Sequence, residues 1–184
     1  MNVEKSRLRQ SLRQRLALLQ PARRTLASQK LARRLVELEV WKSARAIGLF
    51  GGRHDEMETT LLWKENMGAR KTFWYPRIEG AEFHYHEVRG LDSLQIQTWD
   101  LQEPVGGKRG VPDLVTIPGF GFDRNGGRLG RGKGFYDRWL AAHPETLRLG
   151  VCFDFQVVES VPMEPHDCRM DFVVTETEFY SIPR

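Results

Sequence analysis

The chain has 184 residues, of which 40% are hydrophobic and 28% are charged, the size and composition of one globular domain with its own core. No apolar run is long enough to span a bilayer, and the N-terminus lacks the apolar stretch of a signal peptide. The two cysteines, Cys152 and Cys168, predict neither a disulfide framework nor a metal site. We therefore expect one domain over residues 1–184, located in the cytoplasm.

The net charge is +4, and arginines are concentrated near the N-terminus. A basic chain can neutralise the phosphates of nucleic acid, and positive potential also attracts small anions. Solvated faces of amphipathic helices explain such arginines equally well, so the charge alone selects no partner. The arginines concerned are Arg7, Arg9, Arg13, Arg15, Arg23, Arg24, Arg33 and Arg34.

Hydrophobic periodicity predicts the elements of the first half. Leucines at positions 8, 12, 16 and 19 predict an amphipathic helix that ends before Pro21, where a second helix begins. The elements predicted next are a strand over 46–50, a helix over 59–67 with Gly68 near its end, a strand over 71–75 ended by Pro76, and an edge strand over 82–86.

The second half continues the alternation after a weakly patterned stretch over 87–111. Strands are predicted over 113–117, 147–153 and 171–175, and a helix over 135–142. Strands that alternate with helices favour an α/β fold, with a mostly parallel central sheet flanked by helices.

The most informative segment is a glycine-rich run between Pro118 and Tyr136, which joins a predicted strand to a predicted helix. It contains seven glycines, three arginines and one lysine. Glycines let the backbone approach an oxyanion, successive N–H groups can point at phosphate oxygens, and arginine can bind phosphate through two parallel hydrogen bonds. A tight turn is the alternative, but a turn does not require four cations. The run therefore predicts a phosphate-binding site.

This run differs from the two common nucleotide-binding loops. Residues 127–133 fit the pattern G-x-x-x-x-G-K, but Gly134 stands where a Walker loop has the Ser or Thr that holds magnesium. The last three glycines also lack the spacing of the dinucleotide motif. Asp137 is the nearest carboxylate that can replace the missing hydroxyl; alternatively, it only favours the helix N-terminus electrostatically.

The segments 117–123 and 128–137 strongly resemble the signature of the 5-formyltetrahydrofolate cyclo-ligases, also called 5,10-methenyltetrahydrofolate synthetases. Further matches follow the order of that family: a basic segment at 5–9, an acidic segment at 55–59, Glu103-Pro104, and His166-Asp167 followed by Asp171. The resemblance extends from Lys5 to Thr175 and is weak over 77–110.

The resemblance implies a three-layer α/β fold similar to those of sugar-phosphate isomerases and CoA transferases. It implies an ATP- and magnesium-dependent cyclisation of 5-formyltetrahydrofolate to 5,10-methenyltetrahydrofolate, with release of ADP and phosphate. The formyl oxygen takes the γ-phosphoryl group, and N10 then attacks. The expected partners are folate and ATP, not nucleic acid or a membrane, and we expect a monomer.

The resemblance also implies roles for individual residues. Arg131 and Lys133 are implied as catalytic residues, and Asp137 and Asp171 as magnesium ligands. The implied ATP-binding residues are Lys5, Arg9, Arg128, Leu129, Gly130, Arg131, Gly132, Lys133, Gly134, Phe135 and Tyr136. The implied folate-binding residues are Gly51, Glu56, Gly130, Arg131, Gly132, Lys133 and Gly134.

Other interpretations of these residues stay open. Lys5 and Arg9 are one helical turn apart and fit a solvated face, Glu56 fits a helix N-terminal charge, and Asp171 fits a pair with Arg169. The segment 51–53 departs from the family and predicts a looser or reshaped pterin pocket. The competing function is a basic nucleotide- or RNA-binding module without catalysis, although the sequence has no aromatic-basic RNA-binding pattern or helix-turn-helix signature.

Overall fold

The protein is described by a computed structural model that covers residues 3–66, 70–97 and 101–184. The five helices of these segments are α1 (Val3–Ala17), α2 (Pro21–Glu37), α3 (Glu39–Ser43), α4 (Leu61–Glu65) and α5 (Phe135–Ala142). None of them is long and apolar enough to cross a membrane. The helix predicted over 59–67 corresponds to α4, while Met67 and the predicted end at Gly68 lie outside the described residues.

An eight-stranded mixed sheet forms the centre of the fold. Its strands, in spatial order, are β13 (Phe179–Ser181), β12 (Phe172–Val174), β10 (Leu147–Val151), β7 (Leu114–Ile117), β1 (Ala46–Gly48), β2 (Thr72–Glu79), β3 (Glu82–Val88) and β6 (Arg109–Gly110). The five strands from β12 to β2 run parallel, and β13, β3 and β6 extend the sheet by antiparallel pairing. The predicted α/β fold with a mostly parallel sheet is therefore confirmed.

Two smaller sheets accompany the large one. One joins β11 (Val157–Val158), β8 (Gly121–Asp123) and β9 (Arg128–Leu129), and the other is a pair formed by β4 (Leu94–Ile96) and β5 (Gln102–Pro104). The pair β4–β5, together with β6, arises from the stretch that carried little sequence pattern. These strands have two or three residues each, too few to show a period.

The strand predicted over 71–75 continues further than expected. Pro76 lies inside β2, opposite Tyr85 of β3, instead of ending the strand. The other neighbour, β1, pairs with β2 only as far as Trp74. Beyond Trp74, one side of β2 has no strand partner in the large sheet. A proline has no backbone N–H to donate, and it is tolerated on a strand side that has no partner.

The sheet has an apolar cluster on each face, because successive strand residues point to opposite sides. Phe73 and Tyr75 belong to the cluster that includes residues of α1 to α4, whereas Trp74 belongs to the cluster that includes Trp139 of α5. Helices therefore flank the sheet. The three-layer order and the likeness to isomerases and transferases stay predictions.

Candidate active site

A cavity of about 1070 Å³ opens at the carboxyl edge of the parallel strands. Its lining includes Phe50 and Gly51, which follow β1, Ile78 near the end of β2, and Pro118 and Phe120, which follow β7. Ligands of open α/β sheets bind outside the carboxyl ends of the strands, because the connecting loops there diverge. The topology thus brings loops from distant parts of the chain to one cavity.

The glycine-rich run divides into two parts with different roles. Residues 119–129 form the hairpin β8–β9, whose turn is held by Asp123. Its Oδ1 accepts hydrogen bonds from the backbone N–H groups of Asn125 (2.9 Å) and Gly127 (2.8 Å), and its Oδ2 accepts one from Val161 (2.8 Å). The first four glycines of the run therefore belong to a structural hairpin, as the tight-turn alternative proposed.

The second part of the run, over 130–134, lines the cavity and leads into α5. Gly132 and Gly134 have φ angles of 96° and 67°, in the region that favours glycine. Gly134 is the N-cap of α5, so the first N–H groups of this helix begin beside the cavity. Backbone N–H groups at a helix N-terminus, preceded by a basic glycine loop, suit a phosphate.

Arg128 is buried beneath this loop. Its Nη2 donates to Asp137 Oδ2 (2.9 Å), its Nη1 donates to the carbonyl of Pro118 (3.3 Å), and the guanidinium lies 5.5 Å from the centre of the Tyr136 ring. The side chain of Arg128 is only 5% exposed. Arg128 therefore orients Asp137 in addition to lining the cavity.

Arg131 crosses the cavity to the acidic segment that follows β1. Its Nε and Nη2 both donate to Glu56 Oε1, at 3.1 and 2.9 Å, and Nη2 also donates to Asp55 Oδ1 at 2.6 Å. The guanidinium lies 4.6 Å from the centre of the Phe120 ring. Glu56 is thus not merely a helix N-terminal charge, because it is tied to the glycine loop.

The carboxyl group of Glu56 is almost completely buried, with 9% of the side chain exposed. Burial raises its pKa above the ordinary value, although the charge of Arg131 and a hydrogen bond from the Arg53 backbone N–H to Oε2 (3.0 Å) act in the opposite direction. Burial likewise raises the pKa of the Tyr136 hydroxyl, which also lines the cavity and remains neutral. A buried acceptor of this kind suits a ligand that offers N–H groups.

The N-terminal helix contributes two cations to the cavity. Lys5, with only 7% of its side chain exposed, binds the carboxylates of Glu164 (2.6 Å) and Asp167. Arg9 Nε donates to the carbonyl of Gly130 at 2.9 Å, and so contacts the glycine loop directly. The solvated-face interpretation fails for Lys5, since α1 packs this residue against the C-terminal part of the chain.

Three side chains of that C-terminal segment, Glu164, His166 and Asp167, present ligand atoms within 4.8 Å of one another. The segment also lies beside Asp137, because the backbone N–H of Cys168 donates to Asp137 Oδ1 at 3.3 Å. Burial would raise the pKa of Asp167, but hydrogen bonds from Lys5 and from the Glu164 backbone outweigh it and lower that pKa. Asp137 therefore neighbours the segment that carries Asp167.

Asp171 lies away from this cluster. It stands opposite Arg148, at the amino end of β10 and β12, whereas the cavity lies at the carboxyl edge. Its carboxylate accepts hydrogen bonds from Arg184 Nε (2.7 Å) and Nη2 (2.9 Å) and from the Arg148 backbone N–H (2.8 Å). The structure does not bring Asp171 to Asp137. Asp171 pairs with Arg184, not with Arg169, whose guanidinium binds the carbonyl of Asn125.

The remaining wall of the cavity is largely apolar and includes Phe50, Ile78, Phe83 and Phe135. Gly51 lets β5 approach this wall, since a Cβ at Gly51 would lie only 2.2 Å from the carbonyl oxygen of Gln102. The missing side chain thus permits close packing against a strand; that the pocket is looser or reshaped relative to the family stays a prediction.

The structure brings all the residues predicted to bind ATP or folate to this one cavity, and of the predicted metal ligands it brings Asp137. Leu129 is also part of the core, with 1% of its surface exposed. Sequence reasoning did not select Asp55, Glu164, His166 or Asp167 as site residues. The acidic segments at 55–59 and 164–167 were the available signals.

A mixed α/β sheet, with a basic glycine loop beside a helix N-terminus at its carboxyl edge, is the architecture of α/β proteins that bind ligands outside the carboxyl ends of their strands. Comparison with known proteins gives the family. Residues 1–176 match the sequence model of the 5-formyltetrahydrofolate cyclo-ligase family. The chain belongs to this family.

Individual relatives agree with the family match. The 5-formyltetrahydrofolate cyclo-ligase of Mus musculus is 31% identical over 193 residues, covering 96% of this chain and 95% of the relative. That of Escherichia coli K12 is 28% identical over 179 residues, with coverages of 92% and 98%. The NMR structure of Aquifex aeolicus 5,10-methenyltetrahydrofolate synthetase superimposes with a TM-score of 0.87 at 31% identity, over 98% of this chain and 93% of that one.

Proposed function

We propose that the protein converts 5-formyltetrahydrofolate to 5,10-methenyltetrahydrofolate, with ATP as co-substrate and ADP and phosphate as products. The observation that carries the proposal is that the basic glycine loop and the buried Glu56 share one cavity, joined through Arg131. The volume of about 1070 Å³ is at the upper end of the usual range for ligand sites, which leaves room for two substrates side by side.

The loop side of the cavity suits the triphosphate. The backbone of 130–134 and the N-terminus of α5 offer N–H donors, and Lys5, Arg9, Arg131 and Lys133 add positive charge along the same wall. Phosphoryl transfer requires mainly positioning and neutralisation of charge on the transferred group. We assign Arg131 and Lys133 to that neutralisation.

The apolar side of the cavity suits the folate. Phe50, Ile78 and Phe83 provide contact area for a flat ring, and Glu56 provides the buried acceptor for ring N–H and amino groups. We therefore assign the folate to the side of the cavity that carries Glu56, and the nucleotide phosphates to the side that carries the N-terminus of α5. The formyl group would then lie between the ring site and the phosphates.

The proposed reaction has two steps. In the first, the formyl oxygen of the substrate attacks the γ-phosphorus, and ADP leaves, which produces an N5-iminium phosphate. In the second, N10 attacks the iminium carbon, the carbon–oxygen bond breaks, inorganic phosphate leaves with the formyl oxygen, and N10 loses its proton. N5 and N10 belong to the same folate molecule, so ring closure is intramolecular, and the residues around the cavity need only hold N10 near the iminium carbon.

The carboxylates near the loop fit a magnesium ion. Mg²⁺ prefers carboxylate and phosphate oxygens. Asp137 follows the loop and accepts the backbone N–H of Cys168, and ligand atoms of Glu164, His166 and Asp167 lie within 4.8 Å of one another in the adjoining segment. We propose Asp137 and Asp167 as the ligands and assign Asp171 to the stability of the fold. When bound, the ion would supply charge neutralisation between the phosphates.

Several further features belong to the same proposal: one domain over 1–184, a monomer, and a cytoplasmic location.

The cations of the site also argue against the competing RNA-binding function. Arg131, Arg128 and Lys5 are paired with carboxylates inside a bounded cavity, whereas RNA-binding surfaces present unpaired cations along an open groove. The cavity favours a small anionic ligand.

The test of this function is a spectroscopic assay. Purified protein is incubated with 5-formyltetrahydrofolate, and the growth of the near-ultraviolet absorbance of the methenyl product is followed. We expect turnover when ATP and Mg²⁺ are both present and no turnover when either is omitted. A folded, monodisperse sample without turnover under complete conditions would refute the proposal.

A further inference from the structure

The salt bridge between Arg131 and Glu56 joins the two proposed ligand sites. Arg131 belongs to the glycine loop, yet its Nε and Nη2 donate to Glu56 at 3.1 and 2.9 Å and its Nη2 donates to Asp55 at 2.6 Å. Its guanidinium is therefore bonded to the acidic segment across the cavity. Glu56 Oε1 is likewise occupied by Arg131, and its Oε2 is occupied by the Arg53 backbone N–H.

We propose that this salt bridge is a latch between the two sites, so that nucleotide and folate each bind more tightly when the other is present. The proposal rests on the function proposed above, in which Arg131 binds a phosphoryl group and Glu56 binds the pterin. Arg131 cannot make all its hydrogen bonds to a phosphoryl group, and Glu56 cannot make all its hydrogen bonds to the pterin, while the two side chains are bonded to each other.

The burial of Glu56 makes opening of the latch costly for one ligand alone. If a nucleotide draws Arg131 away, a carboxylate with 9% of its side chain exposed loses its cationic partner, and removal of one member of a buried pair is strongly unfavourable. A pterin that donates N–H groups to Glu56 compensates this loss. Conversely, a pterin alone displaces Arg131 from Glu56, and a phosphate gives the guanidinium a new partner.

Two surrounding contacts give the latch a limited range of positions. Phe120 lies 4.6 Å from the Arg131 guanidinium and holds its plane, while Asp55 gives Arg131 a second carboxylate that remains when Glu56 is engaged. Because the coupling is a free energy shared by both sites, the factor by which folate tightens nucleotide binding must equal the factor by which nucleotide tightens folate binding.

Calorimetric titration with adenylyl imidodiphosphate and Mg²⁺ measures the coupling directly, since this analogue does not transfer its phosphoryl group. In the wild-type protein, we expect saturating 5-formyltetrahydrofolate to lower the dissociation constant of the analogue by about tenfold or more, within the range usual for coupled sites. An equal dissociation constant with and without folate would overturn the proposal.

Variants of the acidic segment test whether the latch is the cause of the coupling. Without folate, Glu56→Gln should bind the analogue several-fold more tightly than wild type, because Arg131 is released. Asp55→Asn keeps Glu56, so it remains available as a test if Glu56→Gln does not fold. This variant should tighten analogue binding by a smaller factor and reduce the coupling between the two sites. If both folded variants bind the analogue as weakly as wild type, the latch does not exist.

Glu58→Gln is the matched control. Glu58 lies in the same segment but pairs with Arg24 at 3.2 Å, so this variant should keep the wild-type affinity and coupling. A coupling lost equally in Glu58→Gln would contradict the assignment to Arg131 and Glu56. The turnover assay on wild type separates the two claims: turnover without coupling refutes the latch alone, and absence of turnover refutes the proposed function.

Discussion

Asp167 and Asp171 stand four residues apart and have opposite surroundings. Asp167 binds Lys5, accepts the Glu164 backbone N–H at 2.6 Å, and belongs to a segment bonded to Asp137. Asp171 is enclosed by Arg184 and the Arg148 backbone. The first set of contacts lies at the cavity and supports the proposed metal site, whereas the second set forms a structural pair.

A pair of isosteric substitutions tests this distinction. Asp167→Asn should lower turnover by about 100-fold or more, because the phosphates lose charge stabilisation, and should raise the Mg²⁺ concentration required. Asp171→Asn should lower the free energy of unfolding by about 1–3 kcal/mol through the weakened bonds to Arg184 and Arg148. Mg²⁺ titrations of turnover and urea unfolding provide the measurements. If Asp171→Asn changes the Mg²⁺ requirement and Asp167→Asn does not, the assignment is reversed.

The buried carboxyl group of Glu56 predicts a pH dependence of stability. Its pKa is raised in the folded state, so the folded protein binds a proton more tightly than the unfolded chain does. The stability that Glu56 contributes is complete below the unfolded pKa of about 4.3 and is lost as the pH rises through the folded pKa.

Unfolding measurements on wild type and Glu56→Gln between pH 4 and pH 8 isolate this effect, because glutamine does not titrate. As the pH rises, the difference in unfolding free energy should shift in favour of Glu56→Gln. A shift in the opposite direction would mean that Arg131 outweighs burial and that the pKa is lowered.

At the scale of elements, the loop between β9 and α5 depends on its backbone conformation. Gly132 and Gly80 both have positive φ angles, 96° and 67°, and a Cβ at either position meets no atom closer than 3.8 Å. Gly132 lies in the cavity wall, whereas Gly80 lies in the turn between β2 and β3. The two positions therefore share a positive φ and open space around a Cβ, and they differ in their place in the molecule.

Alanine substitution at the two positions should lower stability at both and lower activity only at Gly132. Each variant should lose about 1–2 kcal/mol of unfolding free energy, the usual cost of a left-handed conformation for alanine. Gly132→Ala should also raise the KM for ATP and lower turnover by about tenfold or more, because the loop N–H groups shift. Equal turnover in the two folded variants would exclude the loop from phosphate binding.

The sequence predicted the long elements and the site loop more successfully than the short elements. The alternation of strands and helices indicated the parallel sheet, and the glycine run indicated the loop that lines the cavity. The strands β4, β5 and β6 have too few residues for a period, and tertiary pairing, not local propensity, forms them. Sequence spacing also could not choose between Asp167 and Asp171, since both follow His166 within one short segment.

At the scale of the whole molecule, residues from both ends of the chain meet at one cavity. Lys5 of α1 binds Glu164 and Asp167 of the C-terminal segment, and Arg131 binds Asp55 and Glu56 across the cavity. This long-range closure supports our proposal that residues 1–184 act as one domain. It also explains why the substrate sites are adjacent, as a transfer from ATP to the formyl oxygen requires.

The fate of the formyl oxygen tests the proposed mechanism most directly. The protein is given 5-formyltetrahydrofolate labelled with ¹⁸O in the formyl group, together with ATP and Mg²⁺ in unlabelled water, and the inorganic phosphate is analysed by mass spectrometry. We predict that each phosphate released carries one ¹⁸O atom, because the formyl oxygen leaves bonded to phosphorus. Unlabelled phosphate formed in step with the methenyl product would contradict phosphorylation of the formyl oxygen.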